Sequence, residues 1–553
     1  MLTAARAPST ILSRRDPRGW RADKQHSILP GDRGAQHPVR FERSSGVLLH
    51  PTCLPGPFGI GDFGGEARRF VDFIAGAGQT YWQIMPLAPP GYGDSPYAST
   101  SAFAGNVNMI SPRNLVAMGL LDEGDIDHPP ASPVDLTDHG QVIAYKSGLL
   151  EKAFHHFKGR VQGDQELARD YARVLALTSS WLDDYALFAA LKDRHDGAAW
   201  WTWEPPLARR EPERMAKARR DFGDRIEAHR FFQYLFLRQW LDLKSYANAR
   251  GIRVIGDMPL FVAHDSADVW ARPRLWKVDA EGRPTVVAGV PPDAFSATGQ
   301  LWGSPLYHWE RLREDGFGWW IDRMRAALTM VDVVRLDHFR GFAACWEVPA
   351  NHETAEHGTW IEAPGRALFR AMTDTLGGDL PIIAEDLGTI TTDVHELRDE
   401  FGFPSMRVLQ FAWDGDPHSP HLPHEYTTSV VAYTGTHDND TVVGWFAHRS
   451  GESATEAERL ERARCLRYFG TDGSDINWDF IRAVQMSVAD ISIVPLQDVL
   501  GVGSAGRMNT PGRAEGNWSW RFRPEALTDE VRDRLRTNTQ IYGRLTLRGP
   551  QPS

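Results

Sequence analysis

Three acidic residues each close a short apolar run: Asp337 in VVRLDHFRG, Glu385 in PIIAEDLG and Asp438 in YTGTHDND. A strand-length apolar run that stops at a charged residue is how a parallel barrel delivers the C-terminal end of a strand to its catalytic rim. Three acids delivered this way point to carboxylate chemistry. Among such reactions, retaining glycosyl transfer needs two carboxyl groups about 5 to 5.5 Å apart, one ionised as nucleophile and one protonated as acid. Arg335 lies two residues before Asp337, on the same side of its strand, and can keep Asp337 ionised. Glu385 follows PIIA, where loss of solvent raises a carboxyl pKa, and Asp386 beside it competes for the same role. A lone RxD is more often a structural ion pair. The shared rim position is what favours function here.

His338 and His437 each adjoin one of these aspartates. They suit sugar-hydroxyl contacts or zinc ligation, but the chain lacks a compact HxxxH or CxxC set, so no metal is expected. The chain holds 20 tryptophans, more than a Val/Ile/Leu barrel core requires. Trp270, Trp276 and Trp302 fall in loop-like stretches, where an indole can stack on a sugar ring or pack an interface.

Positioning three acids on one rim requires a series of parallel strands. Eight runs qualify: 46–50, 81–86, 252–259, 331–337, 381–386, 406–411, 429–438 and 491–498. With helical patterns between several of them, they predict an α/β fold, a TIM (β/α)8 barrel. Asp337, Glu385 and Asp438 then end its fourth, fifth and seventh strands. Helical spacing over about 115–250 predicts an inserted, mainly helical subdomain, and Trp, Pro and Gly over about 260–330 predict active-site loops. DEVRDRLRT supplies the last barrel helix, leaving no room for a separate C-terminal β-domain. The catalytic barrel is expected to span 41–553. Residues 1–40 are rich in Arg, Pro and Gly without the apolar core of a secretory signal, and are expected to be a disordered tail. A transit peptide is the less favoured alternative, given the aspartates and prolines of this segment.

A net charge of -11 argues against a phosphate-neutralising surface, so no nucleic-acid partner is expected. Three scattered cysteines, Cys53, Cys345 and Cys465, do not form a disulfide framework and fit a reducing cytoplasm. No stretch reaches the roughly 18 apolar residues of a membrane span.

The RLDHFRG, IIAEDLG and THDND motifs do not stand alone. GYGDSPYASTSAFAGN at 91–106, GDMPLFVAHDSADVW at 256–270, GQLWGSPLY at 299–307, PLQDVLGVGSAGRMNTPG at 495–512 and GNWSWR at 516–521 accompany them. Over about residues 44–525 the chain resembles the amylomaltases, bacterial 4-α-glucanotransferases related to the α-amylase superfamily, and the plant disproportionating enzymes. The resemblance implies that Asp337 is the nucleophile, Glu385 the general acid/base and Asp438 the transition-state stabiliser. It further implies that Arg335, His338 and His437 line the donor sugar, and that Asp257 binds a donor hydroxyl. Ser95, Tyr97, Asp293, Gln300, Trp302, Phe411 and Asn509 correspond to sugar-contacting positions. Ala294 stands where many amylomaltases carry Tyr, so an acceptor contact is missing or supplied by Phe295. The expected substrates are maltodextrin, starch or glycogen-derived α-1,4-glucans, handled without a cofactor by a monomer or weak homodimer. An α-amylase-type hydrolase using the same three acids is the alternative. A non-catalytic glucan-binding protein would be expected to have lost one of the acids, and all three are present.

Overall fold

The computed structural model describes residues 41–292, 296–513 and 515–546; the segment expected to be a disordered tail lies outside them. Eight strands form the barrel: β1 (Ser44–Leu48), β2 (Tyr81–Gln83), β3 (Arg253–Met258), β4 (Val333–Leu336), β5 (Ile382–Ala384), β6 (Ser405–Val408), β7 (Val430–Tyr433) and β8 (Ile491–Pro495). Each of the eight runs read from the sequence contributes one. All seven ladders are parallel, in the order β6-β7-β8-β1-β2-β3-β4-β5. The β-branched residues that favour these strands are buried, as strands covered on both faces require: Val47, Val254, Ile255, Val333, Ile383, Val431 and Ile493 belong to the core. At Gly46 an added Cβ would sit 2.6 Å from Tyr81 Cβ, so close approach of β1 and β2 demands glycine.

The seam between β5 and β6 closes differently. One main-chain hydrogen bond joins Ala384 N to Pro404 O at 3.0 Å, and the Asp386 carboxylate accepts from Met406 N at 2.9 Å. Asp386 is held in turn by Arg398 at 2.6 Å, with Arg407 at 3.6 Å. The acid that competes with Glu385 in the sequence is thus a buried clasp of the barrel wall. Removing one partner of a buried pair leaves an uncompensated charge. Arg398→Ala is expected to lower stability by about 2 to 4 kcal/mol, Arg407 offsetting part of the loss, read as a reduced urea midpoint.

Between β2 and β3 the chain builds the expected helical insertion, with helices His139–Arg160, Gln165–Leu177, Leu182–Arg194, Pro212–Asp221 and Gly223–Asn248. Asp138 and Asp164 start the first two by accepting from Gln141 N and Leu167 N, as capping carboxylates do. The last helix returns to the barrel against helix Gly65–Gly76 and β3. After β8, Asp529–Ile541 is the closing helix that DEVRDRLRT predicts. Among the described residues no single helix is long and apolar enough to cross a membrane.

The interval 260–330 departs from the loop expectation. Strands Val286–Val290 and Gln300–Pro305 pair there, and with Ala344–Pro349 and Thr359–Glu362 they form a four-stranded antiparallel sheet. Helix Gly318–Met330 then leads into β4. Short strands rich in Gly and Trp, from two segments separated by a barrel strand, carry no periodic signal of their own. Trp270 and Trp276 are buried packing residues rather than loop platforms.

Candidate active site

Asp337 directly follows β4 and Glu385 directly follows β5, each main-chain N–H extending the ladder: Asp337 N donates to Met258 O and Glu385 N to Leu336 O, both at 3.0 Å. Beneath them lies Arg335, paired across β3 and β4 with Asp257. Its Nη1 donates to Asp257 Oδ1 and Oδ2 at 2.7 and 2.6 Å, and to Asp337 Oδ1 at 2.9 Å. Burial disfavours the Arg335 charge, yet Asp257 and Asp337 outweigh it and hold its pKa well above the ordinary value. The side chains of Arg335 and Asp257 are 4% and 1% accessible and that of Asp337 is 30%, so Asp337 is the carboxylate this group presents to the cleft.

Glu385 accepts two main-chain hydrogen bonds, from His338 N at 2.6 Å and Leu387 N at 2.9 Å. Burial pushes its pKa up to about 8; Arg335 and the two N–H donors work against this, and the Asp337 charge adds to it. Glu385 therefore holds its proton at neutral pH. His338 occupies the left-handed region (φ 51°), a cost that persists where function or packing fixes the backbone. Burial lowers its ring pKa to about 4, Asp337 countering, and the neutral ring meets Trp302 edge to face at 4.8 Å.

Asp438 lies five residues beyond β7. Asn509 Nδ2 donates to its Oδ1 at 2.6 Å, and His437 Nε2 stands 3.3 Å from its Oδ2. Loss of solvent opposes ionisation of Asp438, but His437, Asn509 and Arg335 hold its carboxyl well below the usual range. The same pairing raises the pKa of His437 against its burial. Tyr97 stacks on His437 at 5.0 Å and donates to Asp257 Oδ2 at 2.9 Å, joining the Asp438 side of the rim to the Arg335 group. Trp518 packs against both rings. A carboxylate bonded to Arg335, a protonated acid and a strongly ionised acid thus share a rim, the division that double displacement at an acetal requires. Among the described residues no three His, Cys, Asp or Glu side chains converge as metal ligands.

A sequence model of the 4-alpha-glucanotransferase family matches residues 49–528. The chain belongs to that family. The 4-alpha-glucanotransferase of Synechocystis sp. is 48% identical over 510 residues, covering 91% of this chain and 98% of that protein. The Thermus thermophilus 4-alpha-glucanotransferase is 47% identical over 512 residues, 92% of this chain and 100% of its own length. Among solved structures, the amylomaltase of Streptococcus agalactiae in complex with acarbose superimposes with a TM-score of 0.86 at 38% identity, covering 91% of this chain and all of that one. The chain is a 4-α-glucanotransferase rather than a hydrolase of α-amylase type.

Around the three acids of this glucanotransferase, the residues expected to contact sugar fall into two groups. Arg335, His338, His437, Tyr97 and Asn509 are joined to the acids as described. Trp302 and Phe411 are large apolar side chains left open, 39% and 37% exposed. Gln300 is tethered to Trp302 Nε1 at 3.3 Å, and Phe411, just after β6, meets His421 edge to face at 5.5 Å. The Ser95 hydroxyl accepts from Tyr97 N at 3.2 Å and shapes that turn. Asp257, expected to bind a donor hydroxyl, lies beneath the rim against Arg335 and Tyr97. Both its oxygens are engaged by Arg335 and Tyr97, because a carboxylate this deeply buried must be paired. Asp293, with Ala294 and Phe295, lies outside the described residues. Arg507 and Trp518 were not singled out from the sequence; their motifs, GRMNTPG and GNWSWR, were its only signal.

Proposed function

We propose that this transferase moves an α-1,4-glucan segment from a donor maltodextrin to the 4-hydroxyl of an acceptor glucan or glucose by a retaining double displacement. Asp337 attacks the anomeric carbon while Glu385 gives its proton to the departing glycosidic oxygen, and a glycosyl-enzyme ester forms. Glu385, now ionised, takes the proton of the acceptor hydroxyl as that oxygen displaces Asp337, remaking the α-1,4 bond. Asp438 faces the positive charge that develops on the sugar ring. The observation that carries the reading is the contrast between neighbouring acids: Asp337 bonded to the Arg335 cation, Glu385 half-buried and protonated. His338, His437 and Asn509 are assigned to the sugar beside the scissile bond. Trp302, Gln300, Phe411 and Ser95 are assigned to contacts further along the glucan, and Asp293 to the same set on its motif alone.

Starch- and glycogen-derived glucans share the bond that maltodextrin offers and belong to the same substrate class. The complex of the Streptococcus agalactiae amylomaltase with acarbose supports a saccharide in the corresponding cleft. Residues 41–553 are read as one catalytic barrel with insertions, acting as a monomer. Cys53, Cys345 and Cys465 are buried and unpaired, which supports a cytoplasmic setting. Incubation with maltotriose followed by chromatography tests the reaction. Glucose together with a ladder of longer maltodextrins is the expected result, whereas glucose and maltose alone would establish hydrolysis.

A further inference from the structure

The loop carrying Asp438 follows β7 and the segment carrying Asn509 follows β8, so their meeting depends on how two separate segments are held. Arg507 donates from Nη2 to Asp438 O and from Nε to Asn509 O, both at 2.8 Å. Asn509 N donates to His437 O at 3.2 Å, and Asn509 Nδ2 to Asp438 Oδ1 at 2.6 Å. These four bonds close one ring, joining the main chains of both segments to the carboxylate contact between them. Local bonds order each side, Asn439 Oδ1 accepting from Thr436 N and Asn517 Oδ1 from Thr510 N, both at 2.9 Å, and away from the ring Ser504 Oγ donates to Asp440 Oδ2 at 2.6 Å across the two segments. Among the described residues Arg507 has no carboxylate partner, so its planar fork is committed to two carbonyls rather than to charge pairing.

We infer that Arg507 is a positioning residue for glucan transfer, clamping the Asp438 and Asn509 main chains in the register at which the Asn509 amide meets the Asp438 carboxylate. This rests on the role proposed for Asp438. A displacement of about 1 Å in a catalytic group costs up to ~10²-fold, with ground-state binding of the glucan less affected.

The test uses the full chain, with Arg507→Ala, Arg507→Lys, Asn509→Ala, the Arg507→Ala/Asn509→Ala pair and Asp438→Asn. Maltotriose disproportionation gives kcat and KM, and thermal melts report folding. Arg507→Ala is expected to lower kcat about 10- to 100-fold with a smaller change in KM. Arg507→Lys is expected to restore only part of kcat, because an ammonium lacks the rigid fork. The double variant should be no slower than Asn509→Ala, since both substitutions break one ring. Parental kcat in Arg507→Ala beside an inactive Asp438→Asn overturns the clamp alone, as do effects that multiply in the double variant. Parental kcat in Asp438→Asn overturns the role of Asp438 and the clamp with it. Should Arg507→Ala fail to fold, Arg507→Lys decides: parental kcat in that folded variant overturns the inference.

Discussion

Asp337→Ala is expected to lower maltotriose turnover by roughly 10⁴- to 10⁶-fold while leaving a folded protein, the scale on which loss of a covalent nucleophile is felt. Neither Glu385 nor Asp257 can replace it without rebuilding the rim. Glu385 is held by two main-chain N–H groups and Asp257 is closed beneath Arg335. The fold should survive because Arg335 keeps Asp257 as a close partner after Asp337 is removed, so no buried cation is stranded. Product chromatography with a thermal melt decides the matter. Parental turnover in a folded Asp337→Ala protein would remove Asp337 from the nucleophile role.

The difference between Asp337 and Asp257 marks how far the sequence could be read. Asp337, Arg335 and Glu385 were legible because their signal is local: an apolar run, an i,i+2 pair on one strand side, and an acid where the run stops. The second partner of Arg335 was not legible. It comes from β3, nearly 80 residues earlier, through a ladder register that places Asp257 opposite Arg335. Register and shear belong to the closed barrel and leave no trace in either segment alone. Asp438 falls between these cases. The resemblance supplied its role, but the turn that carries it beyond β7 is set by Thr436 and Asn439, and its low pKa by His437 and by Asn509 from the segment after β8.

The outer layer follows the same rule. Capped helices with strong internal periodicity, such as Gln165–Leu177, could be anticipated, whereas the four-stranded sheet pairs Gly289 with Trp346 across more than 50 residues and could not. Composition also failed to separate Trp302, which stands open near His338, from Trp270 and Trp276, which are buried. The distinction is made by what covers each ring.

Glu385→Gln is expected to reduce kcat/KM by about 10²- to 10⁴-fold, the usual worth of a positioned acid/base, and to abolish the alkaline limb of the parental pH profile. In the parent that limb should fall near pH 8, where Glu385 loses the proton it must donate. The same shift makes a second, opposite prediction for stability. A glutamate in the unfolded chain titrates near pH 4.3, so from there to about pH 8 the folded protein holds a proton that the unfolded chain has released. Stability contributed by the protonated group is complete below about pH 4.3 and declines as pH rises to about 8, by at most about 1.4 kcal/mol per unit. The amide introduced by Glu385→Gln cannot titrate, and it cannot accept from both His338 N and Leu387 N, which costs about 1 to 3 kcal/mol at every pH. Urea denaturation at pH 5, 6, 7 and 8 should therefore find the parent losing stability relative to Glu385→Gln across the range, so that any deficit of the variant at pH 5 closes and is reversed by pH 8. A gap that stays constant over this range would mean that Glu385 is ionised in the folded protein, and the acid in the transfer step would have to be sought elsewhere on the rim.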